Sequence, residues 1–181
     1  MSSHLDRETF PDFVRALAFA SRKHSLQRRK DAEASPYINH PIALVSILAV
    51  EAGINDRDTL CAALLHDTLE DTQTTVEELV EAFGRPVASV VEEVTDDKSL
   101  PKTERKARQV EHAAHLSVKA RLVKLADKIA NLRDVADSPP ADWPLSRRQE
   151  YFDWAKLVVY RIVDASPELL ALFKAAYARR P

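Results

Sequence analysis

Apolar residues recur every three or four positions along most of the chain, which is the period of an amphipathic α-helix. In the first such stretch, Phe10, Phe13 and Leu17 fall on one side of a helix. No stretch of the sequence shows the apolar–polar alternation and the turn signals of a convincing strand. The pattern predicts helices over residues 6–23, 41–52, 56–69, 75–84, 86–94, 103–115, 118–135, 145–164 and 167–179.

Residues that favour helix ends stand at several of these boundaries. Asp56 and Ser117 are suited to cap the helices that follow them, because their side-chain oxygens can accept a free backbone N–H. Thr75 with Glu78 fits a capping box. Gly53 and Gly84 follow two predicted helix ends, where glycine is common.

The composition favours the same fold class. Only 2 residues are glycine, so few tight turns between strands are available, and 45% are apolar, as in an ordinary globular protein. We predict an all-α fold: a single domain of about 8–10 helices over residues 1–181. Its core is expected over about residues 10–136, with helices over about 145–179 packing on it.

The net charge and the cysteine content limit which classes of binding partner and which cellular compartment we expect. The net charge of −2 gives no general reason to expect nucleic acid or a membrane as a partner. The single cysteine, Cys61, lies in an apolar run, which predicts a buried thiol and excludes a disulfide within the chain. The N-terminus lacks the apolar core of a signal peptide, so we expect a cytoplasmic protein. The sequence carries no signal for an oligomeric state.

Four ionisable residues directly follow an apolar run that ends at Leu65, and they are His66, Asp67, Glu70 and Asp71. On a helix, adjacent residues lie about 100° apart, so His66 and Asp67 converge only where a pocket meets the helix near its end. An imidazole and a carboxylate suit Mn, Fe, Zn or Ni. The alternative is a helix that runs from core to surface and ends in solvated acids.

His40 and Asp127 are the candidates for further ligands. His40 precedes Pro41, so it lies in extended backbone and points away from a helix start. Asp127 interrupts the apolar side of its helix, where a carboxylate is costly unless it is paired or bound to a metal. A capping or exposed histidine and a buried salt bridge are the alternatives. Asn131 lies one turn further along and can face the same pocket.

The order His40, His66–Asp67, Asp127 resembles the H…HD…D signature of the HD superfamily of metal-dependent phosphohydrolases. Longer blocks resemble the hydrolase domain of the RelA/SpoT family, and they span residues 28–30, 36–41, 63–72, 93–98 and 123–134. The chain length and residues 147–155 resemble the stand-alone small alarmone hydrolases, including the metazoan SpoT homolog. The resemblance covers roughly residues 10–178 and implies the HD helical fold.

The resemblance implies one Mn²⁺ ion and hydrolysis of (p)ppGpp to GDP or GTP and pyrophosphate. The residues that match the family's metal ligands are His40, His66, Asp67 and Asp127. The residues that match its catalytic acids are Glu70 and Asp71. The residues that match its nucleotide and phosphate contacts are Arg29, Lys30, Asn131, Lys102, Arg147 and Tyr151. A NADPH 2′-phosphatase, another nucleotide phosphohydrolase and a non-catalytic alarmone-binding module are the alternatives.

Two departures from the family bear on the substrate pocket. Many relatives carry glycine where Ala34 stands, so either Ala34 is strained or its loop takes another path. Ile129–Ala130 replaces a bulkier pair, which predicts a wider pocket beside Asn131. We expect the side chains of Trp143, Phe152, Trp154 and Tyr160 to pack the C-terminal helices, and residues 102–108 to form a solvated face beside the cleft.

Overall fold

The structure, a computed structural model, describes residues 9–181. Its helices are α1 Thr9–Lys23, α2 Asn39–Val45, α3 Arg57–Leu65, α4 Thr68–Asp71, α5 Val76–Phe83, α6 Arg85–Val94, α7 Lys102–His112, α8 Val118–Asp137, α9 Leu145–Val159 and α10 Pro167–Tyr177. A π-helical turn, Ser46–Glu51, continues α2, and a 3₁₀ turn, Ala113–His115, continues α7. Within the described residues, the isolated bridge between Arg28 and Pro36 is the sole strand-like pairing. The predicted all-α fold is therefore confirmed.

Asp56, Thr75 and Ser117 cap their helices as the sequence predicts. The side chains of Asp56, Thr75 and Ser117 accept the backbone N–H three residues further on, at 2.9, 3.2 and 3.3 Å. Each bond satisfies a donor that the first helical turn leaves free. The first predicted helix begins at residue 6, which lies outside the described residues.

Helix α3 is the centre of the fold. All its residues from Thr59 to Leu65 are buried, which is typical of a helix enclosed on every side. Helices α1, α2, α6 and α8 pack around it, and α9 and α10 pack on α8. Cys61 is fully buried, as predicted. No helix within residues 9–181 is both long and apolar enough to cross a membrane.

The predicted helix over residues 56–69 is wrong at its end, because α3 stops at Leu65 and a short α4 follows. Nδ1 of His66 donates to the carbonyl of Ala63 at 2.8 Å, and the hydroxyl of Thr68 donates to that of Leu65 at 2.6 Å. These side chains occupy carbonyls that a continuing helix would use. Asp67 has φ −98° and ψ 0°, between the helical and extended regions.

Smaller differences concern other predicted helix ends. The helix predicted over residues 41–52 begins at Asn39, so His40 lies in its first turn and the predicted extended backbone at His40 is wrong. The helix changes to the π-helical turn at Ser46. The helix predicted over residues 145–164 ends at Val159. The polar helix predicted over residues 103–115 is α7 followed by the 3₁₀ turn.

Ala34 adopts a left-handed backbone with φ 48°, so the strained alternative is the one observed. This conformation costs an L-residue with a side chain roughly 1–2 kcal/mol, whereas glycine adopts it freely. We expect Ala34→Gly to raise the free energy of unfolding by up to about 1 kcal/mol, because relief of strain exceeds the added freedom of the unfolded chain. Urea denaturation measures the change.

Ala32→Gly is the matched control, since Ala32 is an exposed alanine of the same loop and lacks a positive φ. There the substitution adds only unfolded-chain freedom, which lowers stability by about 0.5–1 kcal/mol in regular structure and less in a loop. Equal losses in both variants would contradict strain at Ala34.

Candidate active site

The start of α2 and the break after α3 bring a metal-binding group together. One ligand atom each from His40, His66 and Asp67 lies within 4.8 Å of the other two. Both imidazoles are almost fully buried, with 3% and 5% of the residue surface exposed. Since the α3 break turns His66 and Asp67 toward one pocket, the two neighbours reach the same point.

The protonation of His66 fits a divalent ion. Its Nδ1 must donate, because the partner is the backbone carbonyl of Ala63, so in the neutral ring Nε2 carries the lone pair that a metal ion would take. This buried Nε2 has no hydrogen-bond partner among the described residues. It lies 2.8 Å from Oδ2 of Asp67. Two ligand atoms held at right angles about 2.1 Å from one ion are about 3 Å apart, so the spacing suits a shared metal.

Asp127 stands beside this group on α8. Its Oδ1 is 3.2 Å from Nε2 of His40 and accepts a hydrogen bond from the Asn131 amide at 2.6 Å. Its Oδ2 is 3.1 Å from the ammonium of Lys128, which is almost fully buried. The neighbouring cations hold the pKa of Asp127 well below its usual range despite burial, so the carboxylate stays charged.

Glu70 and Asp71 on α4 have different surroundings. Oε2 of Glu70 accepts the backbone N–H of Asp96 at 3.2 Å, while the nearest cation, Arg105, is 3.8 Å from its Oε1. Burial and the charge of Asp67 raise the pKa of Glu70 to about 7. Both oxygens of Asp71 are occupied, because Oδ2 accepts from Gln27 at 2.9 Å and Oδ1 contacts Lys98.

A cleft of about 580 Å³ opens over the metal group. The predicted catalytic and metal residues all line it, and so do Arg29, Asn131, Lys102, Arg147 and Tyr151. A second cleft of about 510 Å³ adjoins the first and shares Arg29, Asn131 and Tyr151 with it, and Lys30 lines this second cleft. The fold therefore places every predicted site residue in one continuous region.

Comparison with known proteins identifies the family. A family model described as HD domain matches residues 16–158, which is most of the chain. The chain belongs to the HD-domain family. The resemblance predicted from the ordered histidine and aspartate motifs is thereby confirmed.

Several relatives of this HD domain carry an activity in their names. The guanosine-3′,5′-bis(diphosphate) 3′-pyrophosphohydrolase MESH1 of Xenopus tropicalis is 58% identical over 146 residues, which cover 81% of this chain and 82% of that protein. The human protein of the same name is 53% identical over 167 residues, covering 92% and 93%. A solved structure described as a metazoan ortholog of SpoT that hydrolyses ppGpp superimposes with a TM-score of 0.90, at 46% identity, covering 93% and 95%.

Tyr37 is a residue of the HD-domain site that sequence reasoning gave no role. Its hydroxyl donates to Oδ2 of Asp67. Burial and the charge of Asp67 raise the pKa of Tyr37 far above its usual value, so the phenol stays protonated and fixes the carboxylate. The position of Tyr37 three residues before His40, inside a family block, is the signal that could have found it.

Trp143 and Trp154 pack against the core, as predicted, and both also line the larger cleft. The ammonium groups of Lys106 and Lys128 lie 4.8 and 4.3 Å from the ring centroid of Trp154. An indole face attracts cations, so Trp154 holds both groups at the cleft wall. Phe152 is fully buried, as predicted.

Three further expectations have mixed outcomes. Tyr160 is exposed and does not pack in the core. The predicted border of the cleft by residues 102–108 is confirmed for Lys102, Thr103, Arg105 and Lys106. Ile129 and Ala130 are buried on the core side of α8 and line neither cleft, so the expected widening beside Asn131 is wrong.

Proposed function

We propose that this protein is a Mn²⁺-dependent (p)ppGpp 3′-pyrophosphohydrolase that releases pyrophosphate and GDP or GTP. One observation carries the proposal: the metal-capable group and Glu70 line the same cleft as several basic side chains. The names of the relatives at 53% and 58% identity support the same reaction. Intact acids beside the metal group favour catalysis over a module that only binds alarmone.

The charges of the cleft suit a substrate with several phosphates. Basic side chains line it together with the metal group, and they include Arg29, Lys102, Arg105, Lys106, Lys128 and Arg147. Within the described residues, Lys102 and Lys106 form no salt bridge, so their charges remain available to phosphate oxygens. Arginine adds the paired donors that match a phosphate edge.

We assign the substrate contacts on this basis. Arg29, Lys30 and Asn131 are proposed to hold the guanosine and its phosphates beside the metal group. Lys102, Arg147 and Tyr151 are proposed to hold phosphate or nucleoside at the opposite wall. Burial raises the pKa of Tyr151 well above its usual value, so its hydroxyl remains a donor.

His40, His66, Asp67 and Asp127 are the proposed metal ligands, with nitrogen and oxygen atoms that suit Mn²⁺ among the divalent ions. When bound, the metal supplies Lewis-acid chemistry, which polarises the phosphoryl oxygen and acidifies water. Tyr37 keeps Asp67 oriented through its hydrogen bond. Lys128 and Asn131 do the same for Asp127.

Glu70 is the proposed proton acceptor. A base works best when its pKa is near the operating pH, and the pKa of Glu70 is raised to about 7. Water attacks the 3′-phosphorus and its proton passes to Glu70. The bond from that phosphorus to the ribose 3′-oxygen breaks, and the 3′-oxygen takes a proton from solvent. Asp71, with both oxygens occupied, orients the attacking water through its fixed charge.

Product analysis with metal-stripped protein tests this proposal. We expect ppGpp to be converted to GDP and pyrophosphate after Mn²⁺ is added and not before, because the phosphoryl group lacks its Lewis acid without metal. Parallel reactions with Mg²⁺ and Zn²⁺ establish the metal preference. Tight ppGpp binding without turnover in Mn²⁺ would favour the binding module, and release of phosphate from NADPH alone would favour the 2′-phosphatase.

Two broader expectations accompany this function. We propose that residues 1–181 act as one domain, since α9 and α10 both pack on α8 and α9 supplies Arg147 and Tyr151 to the cleft that the metal group lines. A cytoplasmic location stays a prediction.

A further inference from the structure

His24 is a buried histidine that none of the proposed roles uses. It follows α1 directly and has 2% of its surface exposed. Its ring packs against that of Tyr37, with centroids 4.8 Å apart. Its Nδ1 is 2.6 Å from Oε1 of Gln27. A buried polar ring at this distance from an amide indicates a directed hydrogen bond.

The direction of the hydrogen bond between His24 and Gln27 follows from a second hydrogen bond, which joins Gln27 to Asp71. Nε2 of Gln27 donates to Oδ2 of Asp71 at 2.9 Å, since a carboxylate can only accept. A flipped Gln27 amide would place its oxygen against the carboxylate. The amide oxygen therefore faces His24 and must accept, so Nδ1 of His24 carries the hydrogen.

Of the two contacts on the Asp71 carboxylate, the hydrogen bond from Gln27 is the more buried. The other contact, at Oδ1, comes from Lys98, whose side chain is about half exposed. An exposed lysine fixes a geometry weakly because its long side chain keeps much of its freedom. The Gln27 amide also forms a hydrogen bond with the buried ring of His24. It therefore restrains the Asp71 carboxylate more firmly than Lys98 does.

We propose that His24 is a positioning residue that acts through Gln27 to hold the Asp71 carboxylate in its working orientation. This inference rests on the proposed function, in which Asp71 orients the attacking water. By packing against Tyr37, His24 also supports the phenol that holds Asp67. One buried histidine thus connects the orientation of the water-directing acid with that of a proposed metal ligand.

A double-mutant cycle, measured by steady-state kinetics with ppGpp and Mn²⁺, tests whether Gln27 acts through Asp71. We expect Gln27→Ala to lower kcat about 10- to 100-fold with little change in KM, because a misplaced orienting group affects turnover more than binding. In an Asp71→Asn background the same change should cost nothing further, since its effect passes through Asp71. Equal losses in both backgrounds would overturn the proposal.

Variants of His24 distinguish positioning from packing. His24→Asn keeps an N–H donor at the position of Nδ1 and should retain clearly more turnover than His24→Gln, which moves the donor outward. His115→Gln, at an exposed histidine, is the matched control. If His24→Gln is the more active of the two, or if thermal stability alone accounts for their order, the positioning role is wrong.

Nitrogen NMR of the side chains tests the hydrogen bonds from His24 to Gln27 and from Gln27 to Asp71 without any substrate. We expect the unaltered protein to show His24 as the Nδ1–H tautomer, and the Gln27 side-chain amide signal to move in Asp71→Asn. If His24 is the Nε2–H tautomer and the Gln27 amide signal does not move, the proposed positioning role is wrong, even when the enzyme is active. Absence of ppGpp turnover together with the expected spectra would instead overturn the proposed function.

Discussion

Asp127→Ala is expected to lose both metal binding and turnover. Its carboxylate lies 3.2 Å from Nε2 of His40 and supplies negative charge beside two imidazoles. Even a residue that only orients a ligand contributes about 10- to 100-fold to metal affinity, so loss of a direct ligand should cost at least about 100-fold. Metal content after dialysis and ppGpp turnover in Mn²⁺ measure both effects.

A second substitution separates this loss from unfolding. Removal of Asp127 leaves the buried ammonium of Lys128 without its carboxylate partner, which also destabilises the fold. Asp127→Asn keeps the size of the side chain and an oxygen that can accept from Lys128 but removes the charge, so it should destabilise the fold less than Asp127→Ala and still bind metal poorly. Asp137→Ala, at an exposed carboxylate of the same helix, is the matched control. Full activity in Asp127→Ala would remove this residue from the metal site.

Glu70→Gln is expected to keep the metal and lose most of the rate. The amide preserves the size and an acceptor for the Asp96 N–H, but it cannot take a proton from water. Loss of a general base lowers the rate by about 10²–10⁴-fold. The substitution should therefore reduce kcat for ppGpp while Mn²⁺ content and KM stay close to those of the unaltered protein. Glu70→Ala should show the same loss of turnover.

Glu104→Gln provides the comparison for this result. Glu104 is an exposed acid of α7 that pairs with Arg108 at 3.0 Å and lines neither of the two clefts. Its substitution makes the same chemical change away from the reaction and should leave kcat unaltered. Turnover of Glu70→Gln at the level of Glu104→Gln would assign the proton to another group.

The helical content could be predicted because it depends on local patterns, whereas the break at His66 could not. The periodicity continues past Leu65, and residues 66–69 have ordinary side chains for a helix. What ends α3 is a pair of side-chain hydrogen bonds to the carbonyls of Ala63 and Leu65. Such bonds compete with the helix only when the surrounding fold buries them, and the sequence does not show that burial.

The candidate metal and acid residues could be found from their order along the chain, because residue type limits which groups can bind metal or carry protons. The roles of the supporting residues could not be predicted. Tyr37 stands inside a family block, but its role depends on a contact with Asp67 across the fold, and His24 is an isolated histidine whose role depends on the contact of Gln27 with Asp71. That Trp143 and Trp154 also line the cleft depends on how the C-terminal helices pack, so the sequence predicted their packing and not their place beside the site.

The positions of the two indole rings mean that tryptophan fluorescence can report on the cleft. The chain has 2 tryptophans, and both Trp143 and Trp154 line the larger cleft. The rest of the protein therefore adds no tryptophan emission of its own. Because Lys106 and Lys128 lie over Trp154 and Arg147 lies over Trp143, a polyanion that draws these cations away changes the surroundings of every emitting ring. The tryptophan fluorescence of this protein therefore reports directly on its cleft.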